Sequence, residues 1–482
     1  MIEPDTLIRS MIKCGQLILE SNMKRKPIRF GRPTTKKKPL PDEALTLHIE
    51  SLSQEGRGVA RHEGKTIFVE DALSGEDVEA QISVQHKRYD EAKLVKVITP
   101  SSDRSKPLCQ HYEECGGCQL QHLEHSAQIQ AKQANVLNQL KRFGEQEPLI
   151  IESPIQSEPW HYRRSARIGL NVLQKSDEAI VGFRRRKSNK LLQITNCPVL
   201  DLRAETIFID LKDTLNQLTN SKTYTHAELL FGDESQSLQL RCKGKPKQDD
   251  LSVLTAFAHN KQFNLYLKTD VAQVTLVELS TNSYSLPAEN ISLHFQPGDF
   301  LQVNADVNKL MIRQAIEWLQ LCKEDIVLDL FCGLGNFTLP IARQVKQVTG
   351  IEGSDEMVKR ASQNAITNKI DNASFFRADL SADNQHQPWL NSACNKIILD
   401  PPRTGAYELL SQLLSKQSSL AQEILYISCE PSALARDSKL LLDKGYQLSR
   451  FNVMDMFPHT SHVESMALFT KSSKKKQSGT KK

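Results

Sequence analysis

The run IVLDLFCGLGNF (Ile326 to Phe337) decides the fold class. Ile326 to Phe331 is a short apolar stretch, β-branched at its start, and reads as a buried strand. Cys332-Gly333-Leu334-Gly335-Asn336 then makes a glycine turn, and an apolar helix is expected from Phe337. A strand, a glycine turn and a helix bring free backbone N–H groups close to a ligand. Val348 to Ile351 is the next strand, ending in Glu352, 19 residues after Gly333. In a Rossmann-like sheet a carboxylate at that distance meets ribose hydroxyls. A third strand, Ser374 to Arg377, ends near Asp379. A glycine turn alone often does no more than pack a helix on a sheet. With Glu352 in place the expected ligand is nucleotide-like, and at this point NAD remains open.

Downstream, strand and helix alternate, the mark of a parallel sheet with crossovers. Lys396 to Leu399 (KIIL) runs into Asp400-Pro401-Pro402-Arg403. Two prolines cannot continue a ladder, so Asp400 stands at a carboxyl strand end, where open α/β sheets bind ligands. Ile424 to Ile427 (ILYI) ends in Ser428-Cys429-Glu430-Pro431, and a last strand starts near Val463. Cys429 and Asp400 are therefore expected at the same sheet edge as the glycine turn, where Glu464 can join them.

Such a set can serve methylation of a uracil at C5. C5 of uracil is a poor nucleophile in the intact ring. A thiolate adding to C6 makes an enolate, whose C5 can attack the methyl of a sulfonium. A base must then remove the C5 proton so that the thiolate can leave. Cys429 fits the nucleophile, Glu464 the base, and Asp400 a group that orients the base or favours a cation. Each has a bland alternative: a cysteine after a strand is usually a small buried hydrophobe, Asp before Pro-Pro a turn former, and Glu464 a surface charge. Their convergence on one edge favours the chemical reading.

DLFCGLGNFTLP (Asp329 to Pro340), LDPPRTGA (Leu399 to Ala406), ISCEPSALARD (Ile427 to Asp437) and HTSHVESMALF (His459 to Phe469) resemble the RNA uracil-C5 methyltransferase family, as does Phe300-Leu301-Gln302-Val303-Asn304. The resemblance implies a class I methyltransferase domain over 301–470. It also implies S-adenosylmethionine as donor, contacted by Gln302, Phe331, Asn336, Glu352, Asp379 and Asp400, with Cys429 as nucleophile and Glu464 as general base.

Cys109, Cys115 and Cys118 stand as C-x5-C-G-G-C, and Cys197 precedes Pro198 far downstream. Four thiolates can hold zinc or an iron–sulfur cluster. Zinc ribbons usually pair two C-x2-C knuckles, and only one such pair is present. The pattern resembles the 4Fe-4S site of ribosomal-RNA members of the family, which implies a cluster in a central domain over 100–300. Residues 41–99 read as about five short strands, suggesting an OB-like barrel. GRGVARHEGKTIFVEDALSGEDV (Gly56 to Val78) resembles the TRAM RNA-binding domain. A helix is expected at about 126–143 with Gly144 as its stop. Carrying both TRAM domain and cysteines, the chain resembles the branch that methylates a 23S ribosomal RNA uridine of the 1939 type.

Charge fits that partner. The net charge of +5 says little, but Met23 to Lys38 holds eight Lys or Arg and no acid. This 1–40 arm and the basic 471–482 tail are expected to be flexible and to lie on phosphates. Tyr162, Arg163, Arg164, Arg167 and Arg184 to Lys187 are candidate RNA contacts. No apolar run is long enough for a membrane span, and nothing resembles a secretory signal. A cytoplasmic monomer without membrane or obligate protein partner is expected. Two other classes stay in view: an adenine-N6 methyltransferase, which also uses Asp-Pro-Pro but usually follows it with an aromatic where Arg403 stands here, and an RNA-binding protein with an inactive catalytic domain.

Overall fold

The computed structural model describes residues 43–416 and 421–471. The basic arm and the tail beyond Lys471 lie outside the described residues. No helix among them is long and apolar enough to cross a membrane.

The C-terminal sheet positions the site. Its strands are β1 (Ile326–Leu330), β2 (Gln347–Glu352), β3 (Ala373–Arg377), β4 (Lys396–Leu399), β5 (Glu423–Ser428), β6 (Tyr446–Met454) and β7 (Glu464–Lys471). They lie in the order β3-β2-β1-β4-β5-β7-β6, with Ile150–Ile151 added at the far edge. β7 is antiparallel to both of its neighbours, while β1 to β5 run parallel. Both faces are covered, which is why the strands are apolar without alternation. Leu425 and Ile427 enter one core, Ile424 and Tyr426 the other, all at 0% exposure. Each such side chain contributes ~1.5–3 kcal/mol by leaving water. β6 was not foreseen in the sequence; its pattern is interrupted by a bulge between Leu448 and Arg450.

Three segments outside 301–470 belong to this layer. The helix His125–Gln139 buries Ile129 and Val136 in the core shared with β4 and β5. Ile150–Ile151 pairs with β6. The hairpin Ser283–Leu286/Ile291–His294 packs in the opposite core. Sequence position had put all three in the central region. Gly144 ends the first helix for a reason other than a left-handed cap. Glu145 takes that conformation, at φ 52°, whereas a Cβ on Gly144 would sit 3.1 Å from the Ala435 carbonyl of helix Pro431–Asp443.

The middle is a seven-stranded sheet spanning Ser165 to Val277. It also carries helices Ile207–Gln217 and Gln248–Lys261, which the turn-rich composition does not announce. The N-terminal module has six strands between Leu45 and Thr99, the sixth being the two-residue Ser51–Leu52. Its two edge strands, Leu45–His48 and Ser51–Leu52, are only two residues apart in the chain, so the sheet must curl back on itself as in a partly open barrel.

Candidate active site

Sheet order reverses between β1 and β4, so the carboxyl ends of these strands open a crevice. β1 leaves it through Phe331 at φ 65°, Gly333 at φ 56° and Gly335 at φ 90°. Left-handed backbone is costly for a bulky residue such as Phe331, and the two glycines around it relieve the rest of the turn. Glu352 holds the turn: it accepts the Gly333 N–H at 3.2 Å and the Ser354 N–H at 3.0 Å. Gln302, Phe331, Glu352 and Asp400 all line one cleft of about 1040 Å³. Gln302 donates from Nε2 to Asp400 at 3.5 Å.

Two expected donor contacts are not in that wall. Asn336 is spent on a reciprocal amide pair with Asn308 (2.8 and 3.1 Å) and on the Tyr284 hydroxyl (3.0 Å). Asp379 is exposed and accepts the Ser381 hydroxyl at 2.6 Å and its N–H at 3.0 Å, which hold its carboxyl below the usual range.

Cys429 and Glu464 face the same cleft as Asp400. The antiparallel register causes this: Ser428, the last residue of β5, is paired with Ser465 of β7. The Ser465 hydroxyl also donates to the Ser428 carbonyl at 3.1 Å. The residues just beyond that pair, Cys429 and Glu464, therefore leave the sheet at one edge. Burial pushes the Asp400 carboxyl up to about 7. Burial, and then the Asp400 charge, raise Glu464 well above the ordinary carboxylate range. The Cys429 thiol is pushed up to about 11 by burial and by both carboxylates, against which the Arg403 guanidinium pulls it down. A cation beside these groups would lower all three and favour the thiolate. This cleft wall, with two buried carboxyls beside a weakly acidic thiol, is electrostatically complementary to a positively charged ligand.

Cys109, Cys115, Cys118 and Cys197 line the other end of the same cleft. Burial, reinforced by one another's charge, pushes Cys118 up to about 11 and Cys197 up to about 12. The Gly117 N–H donates to the Cys115 sulfur at 3.4 Å. Among the described residues no group of three or more His, Cys, Asp or Glu is placed to hold a metal ion.

The basic candidates divide. Arg163, Arg167, Arg184, Arg185 and Lys187 stay on the cleft wall. Tyr162 is buried, its hydroxyl on the Pro458 carbonyl at 3.1 Å. Arg164 is buried too, donating to the Gln302 carbonyl at 2.7 Å and lying 4.4 Å over the Tyr284 ring. These two shape the site rather than face RNA. Arg186 pairs with Asp71 at 2.8 Å and Lys187 with Glu70, so they tie the middle sheet to the barrel. Sequence reasoning missed His462, Thr460 and Phe457, which line the cleft from the loop before Glu464. It also missed Lys132 and His125, which hold that loop through Asp455. Nothing local marks them, because their partner lies some 320 residues away.

A model of the tRNA (uracil-5-)-methyltransferase family matches residues 124–472, and one of the TRAM domain matches 43–95. The chain is 46% identical to a protein of Psychromonas ingrahamii named 23S rRNA (uracil(1939)-C(5))-methyltransferase RlmD, over 88% of this chain and 95% of that one. It is 41% identical to a protein of the same name from Aeromonas salmonicida, over 91% of this chain and 99% of that one. Among solved structures it is similar to the Pyrococcus abyssi tRNA (uracil-54, C5)-methyltransferase, with TM-score 0.67 and 21% identity over 88% of this chain and 100% of that one. That likeness is one of fold.

Proposed function

Because the chain belongs to the tRNA (uracil-5-)-methyltransferase family, we propose that it forms 5-methyluridine at the 1939-type site of 23S ribosomal RNA, with Cys429 as nucleophile and Glu464 as base. It is an S-adenosylmethionine-dependent RNA (uracil-C5)-methyltransferase. The observation that supports this mechanism most is the meeting of Cys429, Asp400 and Glu464 on one cleft wall.

The donor supplies an electrophilic methyl on a sulfonium cation. Of the residues expected around it, Gln302, Phe331, Glu352 and Asp400 line the cleft. Cys429 Sγ forms a bond to uracil C6, and the C5–C6 double bond becomes an enolate. C5 forms a bond to the methyl carbon as that carbon's bond to sulfur breaks, and the donor leaves as a neutral thioether. Glu464 then removes the C5 proton, the C6–S bond breaks, and the double bond and the thiolate are restored. The target carbon is closed off inside a stacked helix, so the base must be unstacked to enter. Arg163, Arg167 and Arg184 offer charge for its backbone, and the TRAM barrel extends that surface.

Cys109, Cys115, Cys118 and Cys197 would hold a 4Fe-4S cluster, which would cross-link two distant segments beside the RNA cleft. No step of the reaction calls for an electron. The ribosomal substrate is favoured by the relatives' names together with a chain that carries both TRAM domain and cysteines. One chain contributes every residue named, so a monomer suffices. Mapping 5-methyluridine in 23S RNA from cells lacking the chain tests the proposal. The modification should vanish at one uridine and return with the wild-type chain but not with Cys429→Ala. Its persistence without the chain would overturn the reading.

A further inference from the structure

The nucleophile's loop is held from outside its own domain. Glu430, directly after Cys429, accepts a hydrogen bond on Oε1 from Gln54 Nε2 of the N-terminal barrel at 3.1 Å. The Gln54 side-chain carbonyl in turn accepts from Gln139 Nε2 at 2.9 Å, at the end of helix His125–Gln139. Glu430 also caps helix Pro431–Asp443: the same Oε1 accepts the Ser432 N–H at 3.4 Å and the Ser432 hydroxyl at 2.9 Å. Gln54 itself sits on a closed turn: Ser53 N–H to Arg57 carbonyl at 2.8 Å, Gly56 N–H to Ser53 carbonyl at 2.9 Å, Arg57 N–H to Ser53 hydroxyl at 3.2 Å.

The same turn reaches the base's side of the site. Gly56 lies so close to Leu120 that a Cβ would come within 2.7 Å of it, and within 3.8 Å of Ser461, three residues before Glu464. The turn 53–57 therefore braces the approach to both proposed reacting residues. An RNA-binding module that only supplied affinity would need neither contact.

We propose that Gln54 is a positioning residue: through Glu430 it fixes the Cys429 loop, so that the barrel takes part in the chemical step as well as in RNA binding. The proposal rests on Cys429 being the nucleophile. A carboxylate whose Oε1 is held by Gln54 from the barrel and by Ser432 from its own helix is pinned between the two, and the loop it belongs to is held with it. Without the amide, Glu430 keeps its cap but loses its external anchor.

The test uses the full-length chain and a 23S RNA fragment transcribed with 5-fluorouridine, whose C5 substituent cannot be removed as a proton, so that the enzyme–RNA adduct accumulates. Gln54→Ala should slow adduct formation about ten-fold, the loss of one hydrogen bond to a charged group, while the KM for RNA stays unchanged. Gln54→Glu should slow it further, by setting two carboxylates together. The reciprocal pair Gln54→Glu with Glu430→Gln restores one donor and one acceptor and should recover most of the rate. Alkylation of Cys429 by iodoacetamide, followed against pH in the RNA-free enzyme, should shift in Gln54→Ala and return in the reciprocal pair. A Gln54→Ala enzyme with altered RNA KM but unaltered adduct rate, or a reciprocal pair that fails to recover, overturns the proposal. A wild-type chain that forms no adduct at Cys429 would instead sink the nucleophile reading beneath it.

Discussion

Lys132 and Asp455 form an ion pair of 2.9 Å in which the carboxylate is fully closed off from water and the ammonium is 5% exposed. Burial pushes the Asp455 carboxyl up, but the His125 hydrogen bond and the Lys132 charge outweigh it and hold the group below the ordinary range. Lys132 also donates to the Phe457 carbonyl at 3.1 Å. The pair thus joins helix His125–Gln139 to the loop that leads into Glu464.

Lys132→Met should lower stability by about 3 kcal/mol, the low end for a broken buried pair, because the buried Asp455 carboxylate is left with His125 as its remaining side-chain partner. A denaturant midpoint that does not move would show that the pair anchors nothing.

Glu464→Gln should stop the reaction after carbon–carbon bond formation. The glutamine cannot take the C5 proton, so the chain should remain covalently attached to methylated RNA and be visible as a shifted band after denaturation. Cys429→Ala should give no band at all. Release of product at the wild-type rate from Glu464→Gln would assign the base elsewhere.

The carboxylates set an acid limb for the rate. Asp400 is pushed up to about 7, and Glu464 is raised by burial and then by the Asp400 charge. As pH falls below about 7 the pair gains protons, and the base is no longer free to accept one. kcat should therefore rise with pH through this region. Asp400→Asn removes the negative neighbour that raises Glu464, so the limb should move to lower pH in the pH–rate profile; movement to higher pH would contradict the arrangement.

Asp329 offers a stability test of opposite sign to an ordinary carboxylate. It is 1% exposed, accepts the Thr338 hydroxyl on one oxygen and leaves the other buried without a partner. Burial pushes it up to about 7 from an ordinary 3.8. The native state then binds the proton more tightly than the unfolded chain. Its contribution is fully present below the ordinary value and is lost as pH rises through about 7, on the order of 4 kcal/mol at most. Asp329→Asn should accordingly raise Tm at pH 8 and lose that advantage by pH 5. An equal effect at both pH values would show that ionisation is not the cause.

Local pattern carried much of this protein. The glycine turn after β1, Asp400 before its prolines and Cys429 after an apolar strand are each written within a dozen residues, because a strand end and a sharp turn are short-range matters. The Cys109–Cys118 motif and the barrel's alternation were legible for the same reason, whereas Cys197 stands far downstream and joins those three only in the fold. The unforeseen strand β6 and the helices of the middle region show the limit: a bulge or a single amphipathic stretch gives weak periodicity. Which residues meet was decided only on folding. Asn336 is paired with Asn308 and Asp379 with Ser381, because a polar group takes the nearest good partner. Arg164 and Tyr162 turned inward although they read as a basic surface patch. The approach of Gln54 to Glu430 spans 376 residues of chain. Contacts at that separation come from how whole sheets and helices pack, and no window of sequence contains both halves of them.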